Sequence, residues 1–361
     1  MSVQGVTGAL GLSRQRGALV WRPRRWDISL RMDMRAVAIT LVVALQTSVV
    51  FAWGLAVGDF PIPVTDVVAT LFGYGSDSAD FIVRTLRLPR GVGAVLVGAA
   101  FGLAGAIFQR LVRNPLATPD ILGINMGATV GAVSVIVLWQ GSDTQVTIGA
   151  LIGAFSAAAA VWLLAYKQGT TGYRMVLVGI GLTAVFTAVV SYLLTRAEIY
   201  QAQRATVWMT GNLSDSHWEQ VRWVGLALAA STVLALAAGR QLRILELGDD
   251  VARGLGVRVS RAHLWLVVAG TALAATAVAA AGPIAFVALL SPEIARRLVG
   301  ARSLGLVTAA ACGALLVTAS DLVARRLFAP SELPVGVVTA ILGAPYLLYL
   351  MARANRIGSG G

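Results

Sequence analysis

The chain has 361 residues, 57% of them hydrophobic and 13% charged, with a mean hydropathy of +0.77 and a formal charge of +12. That is about half the charge of an ordinary soluble domain, too little for a water-facing surface of this size, so the composition points to an integral membrane protein and excludes disorder, collagen and coiled coil. Its one cysteine, Cys312, excludes an internal disulfide and a thiolate metal cluster.

Residues 1–34 read as a loose cytoplasmic tail, basic through Arg14, Arg16, Arg22, Arg24, Arg25 and Arg31, with Arg35 following. This start resembles the charged part of a secretion signal. However, the apolar stretch after it is long, ends without a small-x-small cleavage site and is followed by many more, which predicts a retained first helix. Nine intervals of 17 or more residues lack Asp, Glu, Lys and Arg: 36–58, 91–109, 121–142, 144–166, 175–195, 223–239, 262–292, 303–320 and 333–352. A spanning helix needs about 20 apolar residues. The interval 262–292 is too long for one span, and Gly282-Pro283 inside it predicts a break, giving Trp265–Ala281 and Ile284–Arg296.

The expected architecture is therefore all-α and polytopic, with ten transmembrane helices in one domain over 35–352 and a cytoplasmic tail over 353–361. Ten spans put both termini on one side. With the termini inside, the inner segments hold 21 of the 29 basic residues but only 7 of the 17 acids, the asymmetry of the positive-inside rule. That placement accounts for the net charge without nucleic-acid binding. Runs such as 98–105, 149–160 and 309–319 are dominated by Gly and Ala, which predicts close helix packing in lipid.

No phosphate-cradling glycine loop accompanies Lys167, so ATP hydrolysis by this chain is not expected. His217 and His263 have no acidic or sulfur neighbours at ligand spacing, so no metal site is expected. No nucleophile elbow is present, and the sequence gives no support for an enzyme. The predicted spans hold almost no ionisable residues, which disfavours an ion-coupled secondary transporter. Asp321 stands four residues before Arg325, the spacing of an ion pair on one helix face.

Three segments look purposeful. Asn114-Pro115-Leu-Ala-Thr-Pro119-Asp120 is a turn signal, with Asp120 placed to cap the next helix. In 240–262, Leu247, Val251 and Leu255 recur at helical spacing while Gly248, Gly254 and Gly256 interrupt it. This predicts two short amphipathic helices with charged outer faces, either lying on the membrane surface or docking a protein. Arg84, Arg87 and Arg90, with Arg325 and Arg326, fall on the outer side against the charge rule. They suit either snorkelling to headgroups or pairing with carboxylates of a partner.

Arg87-Leu-Pro-Arg90, Asn114–Gly123, Leu245-Glu-Leu-Gly-Asp-Asp-Val-Ala-Arg-Gly-Leu-Gly256, Gly282-Pro-Ile-Ala-Phe-Val287, Glu332-Leu-Pro-Val-Gly336 and Ala344-Pro345 follow in this order. Together they resemble the FecCD-type, BtuC-like permeases of type II ABC importers for ferric siderophores, haem and vitamin B12. The resemblance implies ten spans with two internally similar halves, and a path formed with a second permease of the same type. It also implies two cytoplasmic ABC ATPase subunits that use the ATP, a periplasmic or lipid-anchored substrate-binding protein, and no cofactor on this chain. Carried over by position, Leu245, Leu247, Gly248, Asp249, Val251, Arg253, Leu255 and Gly256 are the ATPase-coupling element. Arg87, Arg90 and Arg325 are the binding-protein docking arginines, and Asn114, Pro115 and Pro119 form the inner loop motif. Glu293 departs from the family's Pro-His-Leu-Ala-Arg, which favours a heterodimer over a homodimer, or pairs simply with Arg296 or Arg297. Among substrates a ferric siderophore is expected, with haem and cobalamin as alternatives; a non-transporting scaffold is the remaining alternative.

Overall fold

The computed structural model describes residues 12–15, 18–21, 30–58, 60–165, 172–300, 305–329 and 331–358. Lys167, Arg302 and most of the basic N-terminal segment lie outside them. The described part of that segment differs from a loose tail. β1 (Leu12–Gln15), β2 (Ala18–Trp21) and β3 (Leu30–Asp33) form an antiparallel meander in which Gln15 pairs with Ala18 and Trp21 with Leu30. Arginine-rich composition does not oppose strand pairing.

The other secondary-structure elements among the described residues are helical. The helices are α1 (Met34–Ala56), α2 (Val64–Leu71), α3 (Asp77–Asp80), α4 (Leu88–Val112), α5 (Ile124–Leu138), α6 (Asp143–Ala165), α7 (Gly172–Arg196) and α8 (Ile199–Met209). They continue with α9 (Trp218–Ala237), α10 (Gly239–Leu245), α11 (Asp249–Gly254), α12 (Val259–Ala281), α13 (Val287–Val299), α14 (Leu306–Arg326) and α15 (Val335–Gly358). A π-helical turn, Phe81–Arg87, joins α3 to α4 without a break.

Among the described residues, seven helices are long and apolar enough to cross a membrane, and Ile124–Leu138 and Val335–Tyr349 are shorter apolar ones. Each predicted span overlaps a helix, but α13, on the span predicted at 284–296, is in neither group. The interval 262–292 does break after Ala281: Gly282 has φ +70° and Phe286 φ +66°, and α13 beyond it has 13 residues with Pro292 inside. α14 runs past the predicted boundary at Ser320 because Asp321 and Arg325 neutralise each other within the helix.

α4 is the central helix, with Phe101, Ile107 and Phe108 fully enclosed. Lipid tails are as apolar as leucine, so close backbone approach has to replace the hydrophobic drive. Here a Cβ on Gly98 would overlap the Gly313 carbonyl of α14, and one on Gly102 would overlap that of Ala309. The same device joins α5 to α6, where Gly127 and Gly131 face Gly153 and Gly149. α1 and α7, in contrast, are mostly exposed along their apolar windows, as helices facing lipid would be.

Candidate functional site

Two charged regions lie at opposite ends of α4. The first surrounds its N-terminus. Arg87 ends the π-helical turn, and its guanidinium donates to the carbonyls of Leu55 (2.7 Å), Ala56 (3.3 Å) and Phe60 (2.6 Å). Arg325 donates to the carbonyl of Gly54 at 3.2 Å. The last turn of α1 has no basic residue of its own, so two arginines from elsewhere satisfy its orphan carbonyls and complement its dipole. Arg90 Nε donates to Asp321 Oδ1 at 3.0 Å, and its Nη1 donates to Glu332 Oε2 at 2.9 Å. Arg325 Nε stands 3.2 Å from Asp321 Oδ2, so one carboxylate serves two guanidinium groups. Ser214 Oγ donates to Glu332 at 3.1 Å. Burial pushes the Glu332 carboxyl up, but the hydrogen bond and charge of Arg90, with Ser214 and Arg325, hold it below the usual carboxylate range.

The three arginines predicted as docking residues are thus brought together, and each has intramolecular partners. The Arg90 and Arg325 side chains are only 11% and 13% exposed. Arg84 is freer, although it pairs with Asp80 at 3.1 Å and donates to the Thr70 carbonyl.

The second region surrounds the C-terminus of α4. Arg113 closes that helix in the left-handed conformation at φ +56°. Asn114 Oδ1 accepts from the Leu116 amide at 2.9 Å, and the Asn114 carbonyl accepts from Ala117, so the predicted turn forms. Asp120 does not cap α5. Residues 118–123 make turns of their own, Gly123 at φ +78° is the N-cap, and the Asp120 carboxylate accepts instead from the Asn125 side-chain amide. Pro119 contributes its carbonyl to the Ile124 amide at 2.9 Å. Burial pushes the Asp120 carboxyl up to about 6, partly opposed by the Asn125 hydrogen bond.

Packed on this end are α10 and α11, the two short helices expected in 240–262. Gly248 separates them at φ +113°, a conformation that L side chains rarely adopt. Leu245 and Ala252 point inward and are buried. The expected charges, Arg243, Asp250 and Arg253, are exposed, and three apolar residues are exposed beside them: Leu247 by 64%, Val251 by 49% and Leu255 by 60%. The reason is local. Leu242 and Leu245 fill the inner side of α10, and Gly248 redirects the chain so that the next three apolar residues face away. Charges hold the element from beneath: Arg110 pairs with Glu246, and Arg113 lies 3.4 Å from Asp249. Arg253 pairs with Asp250 at 2.6 Å on the exposed rim, and Gly256, at φ +80°, ends α11. Beside the element, a cleft of about 360 Å³ is bordered by Asn114, Pro115, Pro292 and Arg296.

These two braces join residues 136 positions apart, and no local pattern announces them. Glu293 pairs with both Arg296 and Arg297. Among the described residues, no group of three His, Cys, Asp or Glu side chains could hold a metal ion.

Comparison with known proteins accords with this architecture. The model of the FecCD transport family matches residues 46–353. The ferric enterobactin transport system permease protein FepG of Escherichia coli K12 is 40% identical over 323 residues, spanning 89% of this chain and 98% of that protein. The probable siderophore transport system permease YfhA of Bacillus subtilis is 40% identical over 334 residues, spanning 90% and 96%. A solved metal-chelate-type ABC transporter, in an inward-facing conformation, superposes with a TM-score of 0.79 at 26% identity, covering 88% of this chain and 99% of that one. The chain belongs to the FecCD transport family of membrane permeases.

Proposed function

We propose that this chain is a permease subunit of an ATP-driven importer and forms, with a second permease, the path for a ferric siderophore complex. The observation that carries the substrate class is the 40% identity to the enterobactin permease across nearly the whole of both chains. In this reading ten helices cross the cell membrane with both termini in the cytoplasm, as the basic bias of the inner segments suggests. The chain binds no cofactor, and ATP is consumed by two separate ATPase subunits.

The coupling element is Leu245–Gly256. Exposed apolar residues on a braced, charge-rimmed platform are suited to a complementary cleft in another protein, and Leu247, Val251 and Leu255 supply that contact. ATPase closure would push on this element and, through Arg110 and Arg113, on α4. The opposite end, with Arg87, Arg90 and Arg325, receives the substrate-binding protein; Asp321 and Glu332 hold Arg90 and Arg325 in place between encounters, and the carbonyls at the end of α1 hold Arg87. Alternating access then follows from rigid helices moving about the glycine contacts of α4. The departure at Glu293 favours a heterodimer with a different permease of the same type.

Proteoliposomes holding this permease with its partner permease, ATPases and binding protein test the reading. Ferric siderophore accumulation should require ATP and stop when the ATPase is inactivated. Uptake that persists without ATP and collapses with a protonophore would establish a secondary transporter instead.

A further inference from the structure

A second cavity, about 670 Å³, lies next to α10 at the Leu247 end, between the C-terminus of α9 and the N-terminus of α12. Arg240, Arg258 and Arg261 line it, and no carboxylate does. None of the three arginines has an ion pair or hydrogen-bond partner among the described residues, and all three are exposed. This contrasts with Arg84, Arg90, Arg110, Arg113, Arg204, Arg253, Arg296, Arg297 and Arg325, each of which meets a carboxylate.

The walls are apolar. Leu234 and Ala237 lie on the last turns of α9, and Trp265 lies two turns into α12. Both helices are among those apolar enough to cross the membrane, so the cavity sits where hydrocarbon gives way to headgroups. Trp265 is 58% exposed, as expected of an indole at that boundary. Leu226, Val233 and Leu264 continue the exposed apolar surface of the two helices.

We propose that this cavity is a binding site for an anionic phospholipid. The phosphodiester is held by Arg240, Arg258 and Arg261, and the acyl chains lie along α9 and α12 past Leu234 and Trp265. Each side of the cavity matches one half of such a molecule: three uncompensated cations above, lipid-facing side chains below. A basic pocket between membrane helices is suited to an anionic headgroup, with each arginine contributing about 1 kcal/mol of attraction near the surface. Because Leu255 and Gly256 also border the cavity, a bound lipid would brace the α10–α11 element from the membrane side. The site depends on the chain's residence in a membrane and not on its substrate or its ATPase, so either proposal can fail without the other.

The test uses the full-length permease purified in neutral detergent. It is titrated with dioleoyl phosphatidylglycerol, dioleoyl phosphatidylcholine or glycerol 1-phosphate, and bound adducts are counted by native mass spectrometry. Wild-type protein should retain phosphatidylglycerol in preference to phosphatidylcholine. R258Q/R261Q should weaken that retention about thirtyfold and R240Q about fivefold, while R243Q, a nearby exposed arginine outside the cavity, should leave it unchanged. Thermal unfolding without lipid verifies that the variants remain folded. Equal retention by wild type and R258Q/R261Q, or no preference for the anionic lipid, would overturn the site. Binding of glycerol 1-phosphate as strong as that of the lipid would replace it with a soluble-phosphate site.

Discussion

The Arg90 end and the Leu247 end are both built from charged residues around α4, yet they present opposite surfaces. At the Arg90 end the charges turn inward: Asp321 serves Arg90 and Arg325, Glu332 holds Arg90, and Arg87 and Arg325 cover the open end of α1. At the Leu247 end the charges act as struts beneath α10 and α11, and apolar side chains are pushed into the open. Buried guanidinium groups without partners would cost far more than exposed leucines. One end is therefore satisfied within the chain, whereas the other is unsatisfied until something covers it.

The sharpest way to break this contrast is Asp321→Ala, which leaves two largely buried arginines without their shared carboxylate. We expect a loss of about 3–5 kcal/mol, read as a fall in the unfolding midpoint of the detergent-purified permease. A loss below about 1 kcal/mol would mean that the pair behaves as a solvated surface pair. Replacing Leu247, Val251 and Leu255 together by serine tests the other end. Stability should change by no more than about 0.5 kcal/mol per exposed site, while ATPase co-purification should fall at least about tenfold. Unaltered co-purification would remove the coupling role from these side chains.

The smallest effect concerns Asp120, beneath the Leu247 end. Its carboxyl is held up to about 6 in the fold, so protonation stabilises the native state. That contribution is fully present below the ordinary carboxylate range and is lost as pH rises through about 6. Asp120→Asn keeps an acceptor for Asn125 without the charge. It should raise stability on the order of 1 kcal/mol above about pH 7 and leave it unchanged near pH 4, measured by unfolding across that range.

How much of this was legible in the sequence varies with the distance over which each feature is decided. The break at Gly282-Pro283, the two short helices divided by Gly248, and the Asp321–Arg325 pair are all local, and each appears where spacing places it. The short helices α2 and α8 have no counterpart among the charge-free intervals because each is too brief and carries a charge, Asp66 in α2 and Arg204 in α8. The mistaken cap at Asp120 arose because an Asp before an apolar run signals an N-cap, whereas here the preceding Thr118–Gly123 turns shift the helix start beyond it.

Charge-free intervals, the glycine breaks between them and the ordered loop motifs determined from the sequence alone that this is a polytopic helical permease. Each is a property of consecutive residues meeting one solvent, lipid or water. Only the tertiary structure decided which arginines are spoken for and which are free, and which face of Leu247–Leu255 is presented. Partners more than 100 positions apart meet through the packing of α4 against α14 and α10 and of α14 against α1, and the polarity of a surface depends on what its own fold has already paired.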